Sequence, residues 1–250
     1  MIDINIIPVL KDNYSYLITD IETGKNAIID PGDAIPIIEY LQENNIKLDY
    51  ILNTHHHWDH TDGNKQLKKY TNAKVFAYSK ERNPIPGVTD FFNDTFRLGN
   101  QVAKIIHTPG HTLGHICIYF SNAKTIFVGD TIFSIGCGGL FEGTAEQLFN
   151  SIKKIKSLPN DTKIYCGHEY TLINIKKALR LEPNNEDLLS LLEFAKEMHH
   201  KKSSTIPTTI EREKRCNPYF RTNSAEIIKN LNLSQNTPEV EVFRAIRSLR

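Results

Sequence analysis

The sequence predicts an α/β protein: a mixed α/β domain over residues 1–170 and a helical domain over residues 171–250. Three observations carry this. Short β-rich runs alternate with helix-like segments through the first two-thirds of the chain. The apolar strands there end repeatedly at a histidine or an aspartate. After Tyr170 apolar residues recur at helical spacing and no strong strand remains.

In chain order, INIIPVL, YSYLIT and NAIID are β-rich and separated by turn residues. An amphipathic helix begins over Pro36 to Leu41. YILNT and KVFAY are short strands, and a Pro/Gly/Asp-rich loop runs from Arg82 to Asp90. QVAKIIHT runs into Pro109-Gly110, which forces a turn. HICIYF and KTIFVGD flank Ser121-Asn122-Ala123 as a hairpin-like pair. Thr144 and Gln147 have the T-x-x-Q form of a capping box and open a helix to about Ser157. KIYCGH is the last strand. Leu172, Ile175 and Leu179, then Leu188, Leu191, Ala195 and Met198, mark helices. A polar stretch from His199 to Arg215 leads to a final helical pair around Ile227 and Phe243.

Composition excludes several classes. Lys plus Arg is 30 against 29 for Asp plus Glu, which gives no drive towards nucleic acid or acidic membranes. No apolar run reaches the length of a membrane span, and the N-terminus lacks the basic start of a signal peptide. Cys117, Cys137, Cys166 and Cys216 show no paired spacing, as expected of free thiols in a reducing compartment. The expectation is a cytoplasmic monomer acting on a small molecule.

The chemistry lies in Thr54-His55-His56-His57-Trp58-Asp59-His60. Imidazole and carboxylate are ligands of zinc, iron and manganese. Residues two apart on an extended segment face the same way, so His55 and His57 converge on one ion. Asp59 and His60 follow where the strand gives way to a loop and turn towards a second. His111, Asp130 and His168 stand at or just beyond other strand ends and are candidates for the remaining ligands. A lone histidine in such a place is more often structural, but several coinciding are not. His56 points away from its neighbours, His107 and His115 support the site rather than ligate, and His199-His200 is solvated. Asp30 orients a ligand or simply makes a turn.

The series THHHWDH, TPGHT, GD and GHEY resembles the metallo-β-lactamase superfamily, and more fully its glyoxalase II (hydroxyacylglutathione hydrolase) family. The resemblance spans Pro8 to Leu17, Cys137-Gly138, Glu142 to Thr144, Gly167 to Thr171, Glu182 to Asn184 and Asn217 to Arg221. It implies an αββα sandwich with a C-terminal helical, substrate-binding domain. It implies His55, His57 and His111 on one ion, Asp59, His60 and His168 on the other, and Asp130 bridging. Zinc is the expected metal, with iron or manganese as alternatives.

The implied reaction is hydrolysis of S-D-lactoylglutathione to D-lactate and glutathione, a step of methylglyoxal detoxification. A water activated between two ions is the nucleophile, Asp59 helps to orient it, and no G-x-S-x-G elbow is present. Tyr170, Arg247 and Arg250 match positions that would meet glutathione, although the two arginines also suit an ordinary helix end. Gly139 stands where the family usually has Lys or Arg, and Phe141 where some members have Tyr. Rival readings are a persulfide dioxygenase, a β-lactamase proper, a hydrolase of another thioester, or a metal-dependent binding module.

Overall fold

The computed structural model describes residues 1–81 and 83–249. β1 (Ile2–Val9), β2 (Asn13–Asp20) and β3 (Lys25–Ile29) form an antiparallel meander. The sheet continues in parallel through β4 (Tyr50–Leu52), β5 (Lys74–Ala77) and β6 (Asp90–Phe91), with α1 (Ile35–Glu43), α2 (Trp58–Thr61) and α3 (Asn64–Thr71) as connections. β7 (Thr95–Leu98), β8 (Gln101–His107), β9 (Ile116–Phe120) and β10 (Thr125–Gly129) build a second antiparallel sheet. After the small pair β11 (Ile132–Phe133) and β12 (Gly136–Cys137), α4 (Ala145–Lys156) leads to β13 (Lys163–Cys166), parallel to β10. Then come α5 (Thr171–Ala178), α6 (Glu186–His200), β14 (Thr208–Thr209), α7 (Ile210–Cys216), α8 (Ala225–Asn230) and α9 (Glu239–Ser248).

The strands of the first sheet sort their side chains by parity. Tyr16, Ile18, Ala27, Ile29 and Leu52 enter the core shared with Ala103, Ile105, Ile118 and Phe127 of the second sheet. Their neighbours Leu17, Ile28 and Ile51 face the other way, onto Ile37 and Leu41 of α1 and Leu67 of α3. A strand buried on both faces needs an unbroken apolar run, which β9 and β10 have. Leu148, Ile152 and Ile155 of α4 join the same buried cluster, and both bonds of its Thr144–Gln147 capping box are present. The result is the αββα sandwich. No helix among the described residues is long and apolar enough to cross a membrane.

Several elements depart from the sequence reading, among them α2, β7 and the β11–β12 pair as well as the three that follow. α3 was not expected because only Leu67 and Asn64 of its eight residues are buried, too few to print a period. The stretch read as a polar connection holds α7, whose inward residues are Ile210, Cys216 and the charged Glu213. Just before it, Thr208 and Thr209 pair with Ile164 and Lys163, so the helical part contributes an edge strand to the second sheet.

The helical part has cores of its own: Ile175, Leu188, Leu191 and Ala195 across α5 and α6, and Leu181, Ile227, Val242 and Ile246 across α8 and α9. They are joined through Glu182, which is 1% exposed. Arg221 grips both its oxygens, with Nε to Oε2 at 2.8 Å and Nη2 to Oε1 at 2.6 Å, and Ser224 Oγ donates a third bond. Removing one partner of such a pair strands a buried charge, whereas replacing both need not destabilise. Arg221→Met is therefore expected to cost about 3 kcal/mol, read as a lowered urea midpoint, and Arg221→Met with Glu182→Leu to recover most of it.

Candidate metal centre

Strand ends from both sheets meet at one edge of the sandwich. β4 stops at Leu52 and the chain bends at Thr54 and His55, after which the rings of His55 and His57 approach at Nε2···Nδ1 3.2 Å. His56 faces away, bonded to Glu81 Oε2 at 2.8 Å and to the Asn83 amide. Asp59 and His60 sit not on a loop but on the single helical turn of α2, which swings them behind His55 while Trp58 stays exposed. β10 ends at Gly129 with φ 45°, and a Cβ there would stand 2.3 Å from Thr54 Oγ1. That turn delivers Asp130. β13 ends before Gly167, where a Cβ would lie 2.3 Å from Asp130 Oδ1, and His168 follows.

The ligand atoms form two groups. Those of His55, His57 and His111 lie within 4.8 Å of one another, as do those of Asp59, His60 and His168. Asp130 faces both: its Oδ1 is 3.4 Å from His60 Nε2, and its Oδ2 is 3.4 Å from His168 Nε2 and 3.5 Å from His111 Nε2. All seven residues singled out as ligands from the sequence are brought together.

The outward nitrogens are engaged. His55 Nδ1 donates to Thr54 Oγ1, which donates to Asp30 Oδ2. His60 Nδ1 donates to Asp30 at 3.1 Å, His168 Nδ1 to Asp12 at 2.8 Å, and His111 Nδ1 to the Gly139 carbonyl at 2.9 Å. In these four rings Nδ1 therefore keeps its proton, and Nε2 is the nitrogen that faces inward, its lone pair free once any second proton is lost. Asp30 is thus an orienting carboxylate: its oxygens are taken by the Thr54 amide and hydroxyl and by His60. His115 stacks on His55 and accepts the Asp130 amide, and His107 bonds the Leu113 carbonyl. His56, Glu81 and Glu142 also cluster. Their bonds to Thr112 and to the Leu113 amide make them a brace for the His111 turn.

Two supporting residues escaped the sequence reading, Asp12 on His168 and Asn13, whose Nδ2 donates to Asp59 Oδ2 at 2.9 Å. They occupy the β1–β2 turn, which reaches the site because Tyr14 and Glu169 exchange backbone bonds with Gly167 and Asp12. The Asp-Asn pair of Lys11-Asp12-Asn13-Tyr14 was visible, but as turn chemistry.

A divalent cation fits this donor set. His60 Nε2 and Asp130 Oδ1 are buried without a hydrogen-bond partner in the protein. Each would cost about 1–3 kcal/mol if left so. Nitrogen and carboxylate donors with no thiolate suit zinc, iron or manganese.

Comparison with known proteins is decisive here. Residues 10–168 match the model of the metallo-β-lactamase superfamily, and residues 169–250 that of the hydroxyacylglutathione hydrolase C-terminus. The chain belongs to the hydroxyacylglutathione hydrolase family of that superfamily. It is 48% identical over 231 residues to the hydroxyacylglutathione hydrolase of Pelagibacter ubique, covering 92% of this chain and 97% of that protein. It is 41% identical to the one from Methylococcus capsulatus, covering 99% of this chain and 97% of that protein. Among solved structures it is similar to ETHE1 from Myxococcus xanthus, with a TM-score of 0.66 and 25% identity, covering 98% of this chain and 96% of that chain. The BLEG-1 B3 metallo-β-lactamase gives a TM-score of 0.66 at 21% identity, over 88% of this chain and 100% of that one, a likeness of fold alone.

The residues expected at a glutathione site in this family are less uniform. Tyr170 stacks on His168, ring centroids 4.8 Å apart and planes 8° apart. Phe141 sets its ring edge-to-face with His57 and His111, at 5.4 and 5.2 Å. Gly139 adjoins it and supports His111 through its carbonyl. Arg247 is turned onto the protein: its Nη1 donates to the Gly138 carbonyl at 2.8 Å and to Cys137 Sγ. Arg250 lies outside the described residues.

The two groups differ in protonation. Burial lowers His55, His111 and His57, the last to about 4, so this group is neutral at pH 7. Burial acts the same way on His168, but Asp130 and Asp59 overcome it and push His168 up to about 11. His60 is likewise raised, as Asp130 and Asp30 outweigh its burial. A cation entering the Asp59, His60 and His168 group must displace protons, and one entering the other group need not. Calorimetric titration of metal-free protein at pH 7.5, in buffers of different ionisation enthalpy, is expected to show proton release for only one of two binding steps. Affinity for that step should fall as pH is lowered.

Proposed function

We propose that the chain hydrolyses S-D-lactoylglutathione to D-lactate and glutathione using two divalent ions, zinc or alternatively iron or manganese. His55, His57 and His111 would hold one, Asp59, His60 and His168 the other, and Asp130 both. The observation that carries this reading is the Asp130 carboxylate, which faces His111 of one group and His60 and His168 of the other at 3.4–3.5 Å. Two such ions, when bound, bring the pKa of a water between them towards neutrality and polarise the acyl carbonyl.

The protein's own part is positioning. Asn13 fixes Asp59 Oδ2, leaving the other carboxylate oxygen to orient the attacking water by accepting a hydrogen bond. Asp30 and Asp12 hold the Nδ1 protons of His60 and His168, so that Nε2 is the nitrogen that would take the cation once its own proton is displaced. Phe141 and Tyr170, packed on ligand rings, supply apolar walls for the acyl group and the thioester. A thiol leaving group has a pKa near about 8.5, so the thiolate departs without a strong general acid. A covalent route through cysteine has no support: Cys117 and Cys166 are fully buried, and burial pushes Cys117 up to about 11 and Cys166 higher still. The proposed state is a monomer and the proposed compartment the cytoplasm.

Hydrolysis of S-D-lactoylglutathione, followed as loss of thioester absorbance, tests the proposal. Rapid mixing is expected to show no burst of released glutathione, because no acyl-enzyme forms. An acylated side chain would contradict it. Gly139 tests the substrate. A Cβ there would meet the Phe141 ring tip at 2.7 Å, and that ring is 71% exposed and free to move. Gly139→Arg would place a cation beside the substrate carboxylates and is expected to lower KM several-fold with kcat nearly unchanged. Gly139→Ala should leave both KM and kcat near the wild-type values, and equal behaviour of the two variants would argue against a glutathione thioester.

A further inference from the structure

Ser134 to Gly139 runs from the strand end that carries Asp130 to the carbonyl that supports His111. Besides the β11–β12 pairing and the Gly138 amide on the Thr131 carbonyl, four of its backbone polar groups are met by side chains of the helical domain. Asn174 Nδ2 donates to the Ser134 carbonyl at 3.0 Å. The Ile135 amide donates to Glu213 Oε2 at 3.0 Å. Asn217 Nδ2 donates to the Gly136 carbonyl at 3.0 Å and to Glu213 Oε2 at 2.7 Å. Arg247 donates to the Gly138 carbonyl.

Glu213 and Asn217 are each 0% exposed, and Glu213 Oε1 takes a further bond from Thr208 Oγ1 at 2.7 Å. A fully buried carboxyl is costly to the fold unless every acceptor is used. Here the Glu213 carboxyl takes the Ile135 amide at the turn between β11 and β12. Ile135 sits at φ 61°, a left-handed conformation in which a β-branched residue is strained and persists only if its surroundings impose it.

We propose that the helical domain works as a template for this loop, and that Glu213 is the positioning residue on which the template turns. Through it the domain sets the cleft wall from Cys137 to Gly139 and, by way of the Gly139 carbonyl, the orientation of His111. Arg247 belongs to the same template, acting on the loop rather than directly on a substrate carboxylate. The kinetic part of this inference rests on the thioester-hydrolase reading; the structural part does not.

The test compares Glu213→Leu, Glu213→Gln and Asn174→Ala in the full chain. Glutamine keeps an oxygen for Ile135 and Asn217, and Asn174 is partly exposed, so the latter two variants fold even if the leucine variant does not. Amide exchange over residues 135–139 is expected to rise about tenfold in Glu213→Leu and less in Asn174→Ala, with α8 and α9 unchanged. Glu213→Gln should return towards wild type. KM for S-D-lactoylglutathione is expected to rise about tenfold in Glu213→Leu with kcat changed far less. Should the leucine variant not fold, Asn174→Ala alone must show faster exchange and a raised KM. Unchanged exchange in the folded variants would overturn the template, as would faster exchange with KM and kcat both unaltered. Absence of turnover in the wild-type protein would instead overturn the substrate assignment, and the exchange result would stand independently.

Discussion

The Asp130 carboxylate is the constraint around which the structure is arranged. It is 6% exposed, and burial alone would raise its pKa; His60, His168 and His111 reverse this and hold it well below the usual carboxylate range. A buried charge of this kind survives only where opposite charge is built around it. That requires β10 to end at a left-handed glycine, the Asp130 amide to be accepted by His115, and ligands from β4, α2, the turn after β8 and the end of β13 to reach one point. Packing two sheets face to face, with strand ends at a common edge, satisfies all of these at once.

Around this centre runs a ring of partners whose task is orientation. Asp30, through Thr54, serves His55 and directly serves His60; Asp12 serves His168 and Asn13 serves Asp59. Each bond fixes a tautomer or a carboxylate rotamer, so little reorganisation remains when a cation arrives. Anionic neighbours raise His60 and His168, while burial among other imidazoles lowers His55 and His57. One half of the site is thereby ready for a cation and the other is guarded by protons.

The proposed metal ligands were legible because they are side chains in short local motifs at strand ends, where a His or Asp after an apolar run has no place in a core. The mixed α/β character followed from the same strands, the sandwich from the family resemblance, and α4 from Thr144 and Gln147. Asp12 and Asn13 were not legible as site residues, since their turn reaches the centre through backbone bonds to Gly167 and Glu169, far along the chain. Glu213 was hidden for a related reason. In α7 it reads as one charge among several; its partners are the Ile135 amide and the side chains of Thr208 and Asn217, and Asn217 in turn holds the Gly136 carbonyl. Backbone partners leave no mark in a sequence. The same holds for Arg247, whose charge suggested a substrate contact but whose bonds go to Cys137 and Gly138.

The central claim is that Asp130 unites two cation sites. Its most direct measurement is native mass spectrometry of metal-free wild type and Asp130→Ala after reconstitution with zinc and removal of excess. The account expects two ions per chain in the wild type and neither retained tightly in Asp130→Ala, with thioester hydrolysis lost in parallel. An Asp130→Ala chain that still holds two ions would contradict it.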